Sequence, residues 1–173
     1  MNLKAIQIDE EITLTPIDVS KAEEFLELCI EINSENVMQY TPDIVRNCID
    51  LKSSQDWLED YLSKFKESAV PDFFIEYNEK IAGIIGYHPF IQTPALGELA
   101  FWVAPKYQRK SIAKRSVLGI LPFTFKELKL NRIELLIEPE NSASLNLAMK
   151  CDFQACLDRK PGNKTYKVFY RNS

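Results

Sequence analysis

Histidine is almost absent from this sequence, and His88 is the only one among 173 residues. His-based catalytic triads and multi-histidine metal sites are therefore excluded unless His88 itself takes part. The four cysteines, Cys29, Cys48, Cys151 and Cys156, lack the close pairs that zinc sites use. We interpret them as buried reduced thiols, since a free cysteine behaves as a small apolar residue, and we expect no metal.

Long apolar runs are also missing. No stretch approaches the roughly 18 consecutive apolar residues of a membrane span, and the first residues do not form the apolar core of a signal peptide. We therefore expect a cytoplasmic protein without a membrane partner. The composition, 46% hydrophobic and 27% charged, is globular, and the length fits a single domain over residues 1–173. A net charge of −4 with one small basic patch predicts no nucleic-acid partner.

Hydrophobic periodicity predicts strands and helices that interleave along the chain. Strands are predicted at Ile12–Ile17, Asp72–Tyr77, Lys80–Phe90, Leu99–Ala104, Asn131–Ile137, Gln154–Lys160 and Thr165–Tyr170. Helices are predicted after a capping box at Ser20 and Glu23, after Ser53, after Ser111, and from Asn141 or Ser142 to Lys150. Asn78-Glu79 suggests a tight hairpin, and Pro122 predicts a kink or a break in its helix. Together these elements predict a mixed sheet with helices on both faces.

The stretch Glu98–Ser116 combines a buried strand, a proline stop, a basic loop and a helix start. Five cations and no acid occur within ten of its residues: Lys106, Arg109, Lys110, Lys114 and Arg115. A cationic loop at a helix N-terminus favours an anion, because free N–H groups and the positive end of the dipole meet there. The alternative is a solvated basic helix start. Lys110-Ser111 mimics the end of a nucleotide-triphosphatase phosphate loop, but the preceding glycines are absent.

Gln108–Ala113 resembles the Gln/Arg-x-x-Gly-x-Gly/Ala signature of GCN5-related N-acetyltransferases (GNAT), which follows a central strand and binds acetyl-CoA. Two stretches are similar to sequences of the branch that acetylates ribosomal-protein N-termini. They are the sequence around this signature, FWVAPKYQRKSIAKRSV, and the downstream sequence LKLNRIELLIEPENSAS. The resemblance runs from about Ile12 to Tyr170. The sequence departs from the pattern at Ser111, where glycine is expected, and at Arg109, where this branch often has glycine.

The resemblance implies an α/β fold, α+β by some schemes. Its centre is a GNAT-like mixed, largely antiparallel sheet with helices on both faces and a splayed V between the two central strands. It also implies acetyl-CoA as the cosubstrate, with the pantetheine arm lying in the V. The cofactor contacts that it implies are Trp102, Val103, Ala104, Gln108, Arg109, Lys110, Ser111, Ile112, Ala113, Lys114, Asn141 and Ser144. The backbone N–H groups near Trp102, Val103 and Ala104 would stabilise the oxyanion.

Two of the residues are expected to be catalytic. Acyl transfer from a thioester to an amine needs a base, oxyanion donors and a thiolate that leaves. The resemblance assigns the base, acting through a water, to Glu98, and places the Ser144 hydroxyl near the sulfur. The alternatives are a solvated glutamate at Glu98 and helix capping for Asn141 and Ser144. Ser111 should weaken rather than abolish CoA binding, because its Cβ narrows the approach to phosphate while its hydroxyl can donate.

We therefore expect an N-acetyltransferase that moves an acetyl group from acetyl-CoA to a primary amine by direct attack. The alternative is a catalytically weakened GNAT-fold module that binds acyl-CoA or a protein partner, and Ser111 is the feature that favours it. The sequence leaves the acceptor open between a protein N-terminus and small-molecule amines such as an amino acid, a polyamine or an aminoglycoside. It also leaves a homodimer open.

Overall fold

The computed structural model describes residues 3–35, 43–68, 71–89 and 96–173. Its helices are α1 (Ala22–Glu35), α2 (Asp43–Asn47), α3 (Leu51–Ser68), α4 (Ile112–Lys126) and α5 (Ser142–Lys150). Its strands are β1 (Ile6–Gln7), β2 (Ile12–Pro16), β3 (Asp72–Tyr77), β4 (Lys80–Pro89), β5 (Leu96–Val103), β6 (Arg132–Ile137), β7 (Gln154–Ala155) and β8 (Lys167–Asn172). Short 3-10 turns occur at Val19–Lys21 and Pro105–Tyr107. The sequence also predicts loops at residues 34–47 and 92–97, and of these loops residues 36–42 and 92–95 lie outside the described residues.

The strands are ordered β1-β2-β3-β4-β5-β6-β8-β7. Every pair with a described register is antiparallel except β5 and β6, which are parallel. This confirms the predicted mixed, largely antiparallel sheet. Two compact units divide the chain: the first is Met1–Gly86 with Phe101–Ile112, and the second is Tyr87–Ala100 with Ala113–Ser173. Strands β4 and β5 run through both units. The single domain over 1–173 stays a prediction.

The first unit has an apolar core between its helices and strands, with Phe25, Leu58 and Phe74 fully buried. The ring centroid of Phe25 lies 5.5 Å from that of Phe74 and 5.7 Å from that of Trp57. Apolar spacing in the sequence predicts that the inner side of α1 consists of Ala22, Phe25, Leu26, Cys29, Ile30 and Asn33, and this prediction is partly wrong. Ile30 is 48% exposed, whereas the core takes Leu28 and Ile32.

The helix starts in this unit also differ from prediction, because aspartates cap them. The Asp18 carboxylate accepts from the N–H of Ser20, so Asp18 replaces the predicted capping box. Hydrogen bonds from the side chain of Ser20 and then from its backbone N–H lower the pKa of the Asp18 carboxyl. Asp50 accepts from the N–H of Ser53 at 2.7 Å, and α3 therefore starts two residues before Ser53.

The second unit contains α4, α5 and the strands β6, β8 and β7. Helix α4 continues through Pro122 to Lys126, so the predicted break is wrong. The strand predicted at Gln154–Lys160 is shortened to Gln154–Ala155, followed by an isolated bridge between Arg159 and Tyr166. None of the described helices combines the length and apolar character that crossing a membrane requires.

Candidate functional site

The loop between β5 and α4 contains two residues in the left-handed conformation. Arg109 and Ser111 both have φ of 60°. This conformation is sterically unfavourable for L-residues but not for glycine. Arg109 and Ser111, the two positions where the sequence departs from the family pattern, are therefore positions where glycine would be unstrained. Arg109, Lys110 and Ser111 are exposed, and Ile112 is buried as α4 begins. Ala113 and Lys114 continue α4 into the second unit.

Side chains hold this loop to the first unit. The Lys110 ammonium lies 5.4 Å from the centroid of the Tyr77 ring and 5.7 Å from that of Tyr107. The two rings pack edge to face, with centroids 6.1 Å apart. Lys106 pairs with Glu31, and this hydrogen bond raises the pKa of the lysine. The cation–π contacts of Lys110 with the two tyrosine rings hold this lysine, and with it the loop, in place.

The side chain of Gln108 also braces the loop. Its Nε2 donates to the carbonyl of Val103 at 2.9 Å. In the first unit, the Ala104 N–H donates to the Ala82 carbonyl of β4 at 2.8 Å. The oxyanion donor predicted at Ala104 is therefore corrected, because that N–H is already used. Backbone N–H groups alternate along an extended chain, so that of Val103 points to the edge of β5 away from β4.

Glu98 lies in the second unit, where β5 and β6 form a short parallel ladder. It is half-buried and pairs in register with Glu134 of β6. The ladder joins Leu96 to Arg132 and ends at this glutamate pair, while both strands continue. Residues paired in register point to the same side of a sheet, so both glutamates lie on one face.

Glu134 is a buried carboxylate that sequence reasoning missed. It is 1% exposed and forms ion pairs with Arg132 at 2.7 Å and Arg159 at 2.5 Å. The Arg132 guanidinium also stacks 3.9 Å from the ring centroid of Tyr170. An arginine and a glutamate two positions apart in an otherwise apolar strand lie on the same face, and that spacing was the available signal.

Asn141 and Ser144 occupy the first turn of α5, as predicted. The Asn141 side chain caps the helix by accepting from the N–H of Ser144 at 3.1 Å. Capping is therefore observed for Asn141, and Ser144 is a half-buried residue on the same turn. Among the described residues, no group of three or more His, Cys, Asp or Glu side chains could hold a metal ion.

Comparisons with known proteins identify relatives over most of the chain. An N-acetyltransferase of Bacillus licheniformis, p20, of uncharacterised function, is 22% identical over 147 residues, which cover 84% of this chain and 80% of the relative. The structure of RimL, a ribosomal L7/L12 α-N-protein acetyltransferase in complex with coenzyme A, superimposes with a TM-score of 0.84 at 12% identity, covering 98% of both chains.

The structure of MccE, a microcin C7 self-immunity acetyltransferase in complex with acetyl-CoA and AMP, has a TM-score of 0.79 at 18% identity. It covers 96% of this chain and 94% of that one. These solved structures support the fold. The family model of the acetyltransferase (GNAT) domain matches residues 11–154. This chain therefore belongs to the GNAT acetyltransferase family.

Proposed function

We propose that the protein is an N-acetyltransferase that transfers the acetyl group of acetyl-CoA to a primary amine. The observation that carries the proposal is the left-handed loop at Arg109 and Ser111, which leads directly into the N-terminus of α4. Family membership supports it, as do the related structures described with CoA or acetyl-CoA bound. The predicted cytoplasmic location and the homodimer remain expectations.

The residues of the loop fit a phosphate-bearing cosubstrate. The first four N–H groups of an α-helix have no partner within the helix, and here they follow the exposed Arg109 and Lys110. We assign the pyrophosphate to Arg109–Ala113, with Arg109 supplying charge and Ser111 a hydroxyl donor. The Val103 N–H, which points away from β4, is the best-placed of the predicted oxyanion donors.

The chemistry assigned to this chain is proton removal, oxyanion stabilisation and support of the leaving thiolate. The acceptor nitrogen attacks the thioester carbonyl, so a C–N bond forms and the C–S bond breaks. The amine proton passes through a water to Glu98, and the electron pair of the broken bond leaves on sulfur. The Ser144 hydroxyl donates a hydrogen bond to that sulfur. RimL, by its name an α-N-protein acetyltransferase, supports a protein N-terminus as the acceptor.

Two measurements test the proposal. Calorimetry and thermal unfolding with CoA should show binding, and a hundredfold excess over Kd should stabilise the fold by about 2.7 kcal/mol. Thiol release from acetyl-CoA should then depend on an added amine, assayed with short peptides, an amino acid, spermidine and an aminoglycoside. The absence of both binding and release would overturn the proposal.

A second candidate is a CoA-binding module without catalysis. The observation that favours it is the pair of non-glycine residues, Arg109 and Ser111, in left-handed backbone. CoA binding without thiol release on the whole amine panel would establish this second function in place of the first.

A further inference from the structure

Two buried cysteines of the first unit are neighbours in its core. Cys29 lies on α1, Cys48 directly follows α2, and neither side chain reaches solvent. The two thiols share a hydrogen bond. Both are free thiols, and the proposed acetyl transfer uses neither of them. The core therefore holds a pair of nucleophilic groups side by side, and the chemistry described so far gives the pair no role.

A second contact between α1 and α2 specifies the same alignment. The Asn33 side chain donates through Nδ2 to the Val45 carbonyl at 2.7 Å. Cys29 precedes Asn33 by four residues on α1, and Cys48 follows Val45 by three residues. Each step is about one helical turn, so the two contacts occur in opposite order along the two segments, as in antiparallel helices. The packing of α1 and α2 thus brings Cys29 level with Cys48 independently of the bond between their thiols.

The segment that carries Cys48 lies at the surface. Its neighbours Arg46, Asn47, Ile49 and Asp50 are all exposed. The buried thiol is therefore covered by a short stretch of chain, and opening of a few residues, without global unfolding, exposes the sulfur. A small neutral oxidant can reach such a site, whereas a bulky reagent is excluded as long as the core stays packed.

The hydrogen bond makes the two thiols chemically unequal. It lowers the pKa of Cys48, and together with burial it raises the pKa of Cys29. The thiolate is the nucleophilic form of cysteine, so Cys48 is the first of the pair to attack an oxidant. Cys29 is then the resolving thiol.

We propose that Cys29 and Cys48 are a dithiol modification site, which hydrogen peroxide oxidises to a disulfide within the native fold. Cys48 attacks one peroxide oxygen, so an S–O bond forms, the O–O bond breaks and the other oxygen leaves as water. The product at Cys48 is a sulfenic acid, which condenses with a thiol. Cys29 attacks that sulfur, so the S–S bond forms, the S–O bond breaks and a second water leaves. Two thiols lose two electrons and two protons to the peroxide. This inference is independent of the proposed function.

Peptide mapping tests the proposal directly. The folded protein is treated with a slight excess of hydrogen peroxide, its remaining thiols are alkylated in denaturant, and trypsin is added. Cleavage after Lys21, Arg46 and Lys52 separates the two cysteines, so the disulfide appears as joined peptides 22–46 and 47–52. We expect this pair to be the dominant disulfide and to disappear on reduction. The same treatment in urea should give mixed pairings, because the fold no longer aligns the thiols.

Thermal unfolding provides the second readout. A disulfide that closes a loop of about 20 residues restricts the unfolded chain and should raise Tm by about 6–12 °C. Cys48→Ala should abolish both the joined peptides and the rise in Tm. The matched control is Cys151→Ala, which removes a buried thiol from the second unit and should keep both. Each variant is compared before and after oxidation, so differences in starting stability cancel.

The wild-type protein alone can overturn the inference. Full alkylation of Cys29 and Cys48 after peroxide treatment, with only Cys156 oxidised, would show that the pair is not a modification site. Equal amounts of this disulfide in folded and urea-unfolded protein would show that the fold does not align the thiols. A joined peptide pair with an unchanged or lowered Tm would show that the disulfide does not fit the native core.

Discussion

Lys110 and Tyr77 form a cation–π contact in which the ammonium lies 5.4 Å from the ring centroid. The sequence predicts Lys110 as a free cation for phosphate, but the structure holds it over an aromatic ring from another strand. Tyr77 is itself fixed, because its hydroxyl donates to Glu11 at 2.8 Å. The contact therefore links β3 to the loop that is proposed to bind CoA.

Tyr77→Leu should weaken CoA binding by about 0.5–1 kcal/mol, the usual value of an exposed cation–π contact, because Lys110 loses its fixed position. Lys110→Gln should weaken CoA binding at least as much as Tyr77→Leu does. The double variant should bind CoA no more weakly than Lys110→Gln. Calorimetry of the four proteins gives the coupling energy. Tyr77→Phe, which keeps the ring, is the control. Strictly additive losses would show that the contact plays no part in binding.

Ser111→Gly should tighten CoA binding or leave it unchanged, and should raise the free energy of unfolding by up to ~1 kcal/mol. Glycine relieves the left-handed backbone and removes a Cβ from the phosphate approach. Ser111→Ala is the matched variant, since it keeps the Cβ and loses only the hydroxyl. A marked loss of affinity in both variants would mean that the hydroxyl is a direct phosphate ligand. Calorimetry and urea unfolding provide the two readouts.

Local chemistry explains which elements could be predicted from the sequence. Asn141 caps α5, and Asp152 at the end of that helix has φ of 59°, because short polar side chains favour both positions. The predicted hairpin turn at Asn78-Glu79 is likewise observed, with φ of 48° and 64°. These features depend only on neighbours in sequence.

Features that depend on distant residues could not be predicted in the same way. The Glu134–Arg159 pair joins β6 to the segment between β7 and β8, and no local pattern specifies it. The same holds for the inner face of α1, where tertiary packing selects Leu28 over Ile30. The roles assigned to Glu98 and Ser144 come from the family resemblance and remain predictions.

Gly83→Ala should destabilise the protein by about 3 kcal/mol, because an added Cβ would lie 2.0 Å from the carbonyl oxygen of Trp102. That atom belongs to the backbone of β5 and cannot move without disturbing the sheet. Gly162→Ala is the control. Gly162 has φ of 61° but no atom within 4 Å of an added Cβ, so the cost should be near 1 kcal/mol. Urea unfolding should separate the two, and equal losses would contradict the close approach.

One of the four thiols should react quickly with an aromatic disulfide reagent at pH 8 in the folded protein. Cys156 is exposed, whereas Cys29, Cys48 and Cys151 are buried. The Cys48 hydrogen bond and burial raise the pKa of Cys29, and burial raises that of Cys151, so little of either is reactive thiolate. All four should react in denaturant, and Cys156→Ser should remove the fast phase. Two fast thiols would contradict the burial.

Glu98→Gln should lower turnover by about 10²–10⁴-fold, the usual contribution of a general base, because the amide keeps the shape but cannot take a proton. CoA affinity should barely change, since the base acts on the acceptor amine and not on the phosphates. Ser144→Ala should give a smaller loss, because a thiolate leaves fairly well unaided.

The control for Glu98→Gln is Glu140→Gln, which removes an exposed carboxylate from the same unit and should retain wild-type turnover. The measurements are steady-state thiol release from pH 6 to 9 and calorimetry with CoA. In the wild type, the rate should rise with pH as the amine loses its proton to the base, and the Glu98→Gln profile should be flatter. Wild-type rates for Glu98→Gln over the whole range would remove Glu98 from the mechanism. The amine would then have to arrive neutral or lose its proton to another group.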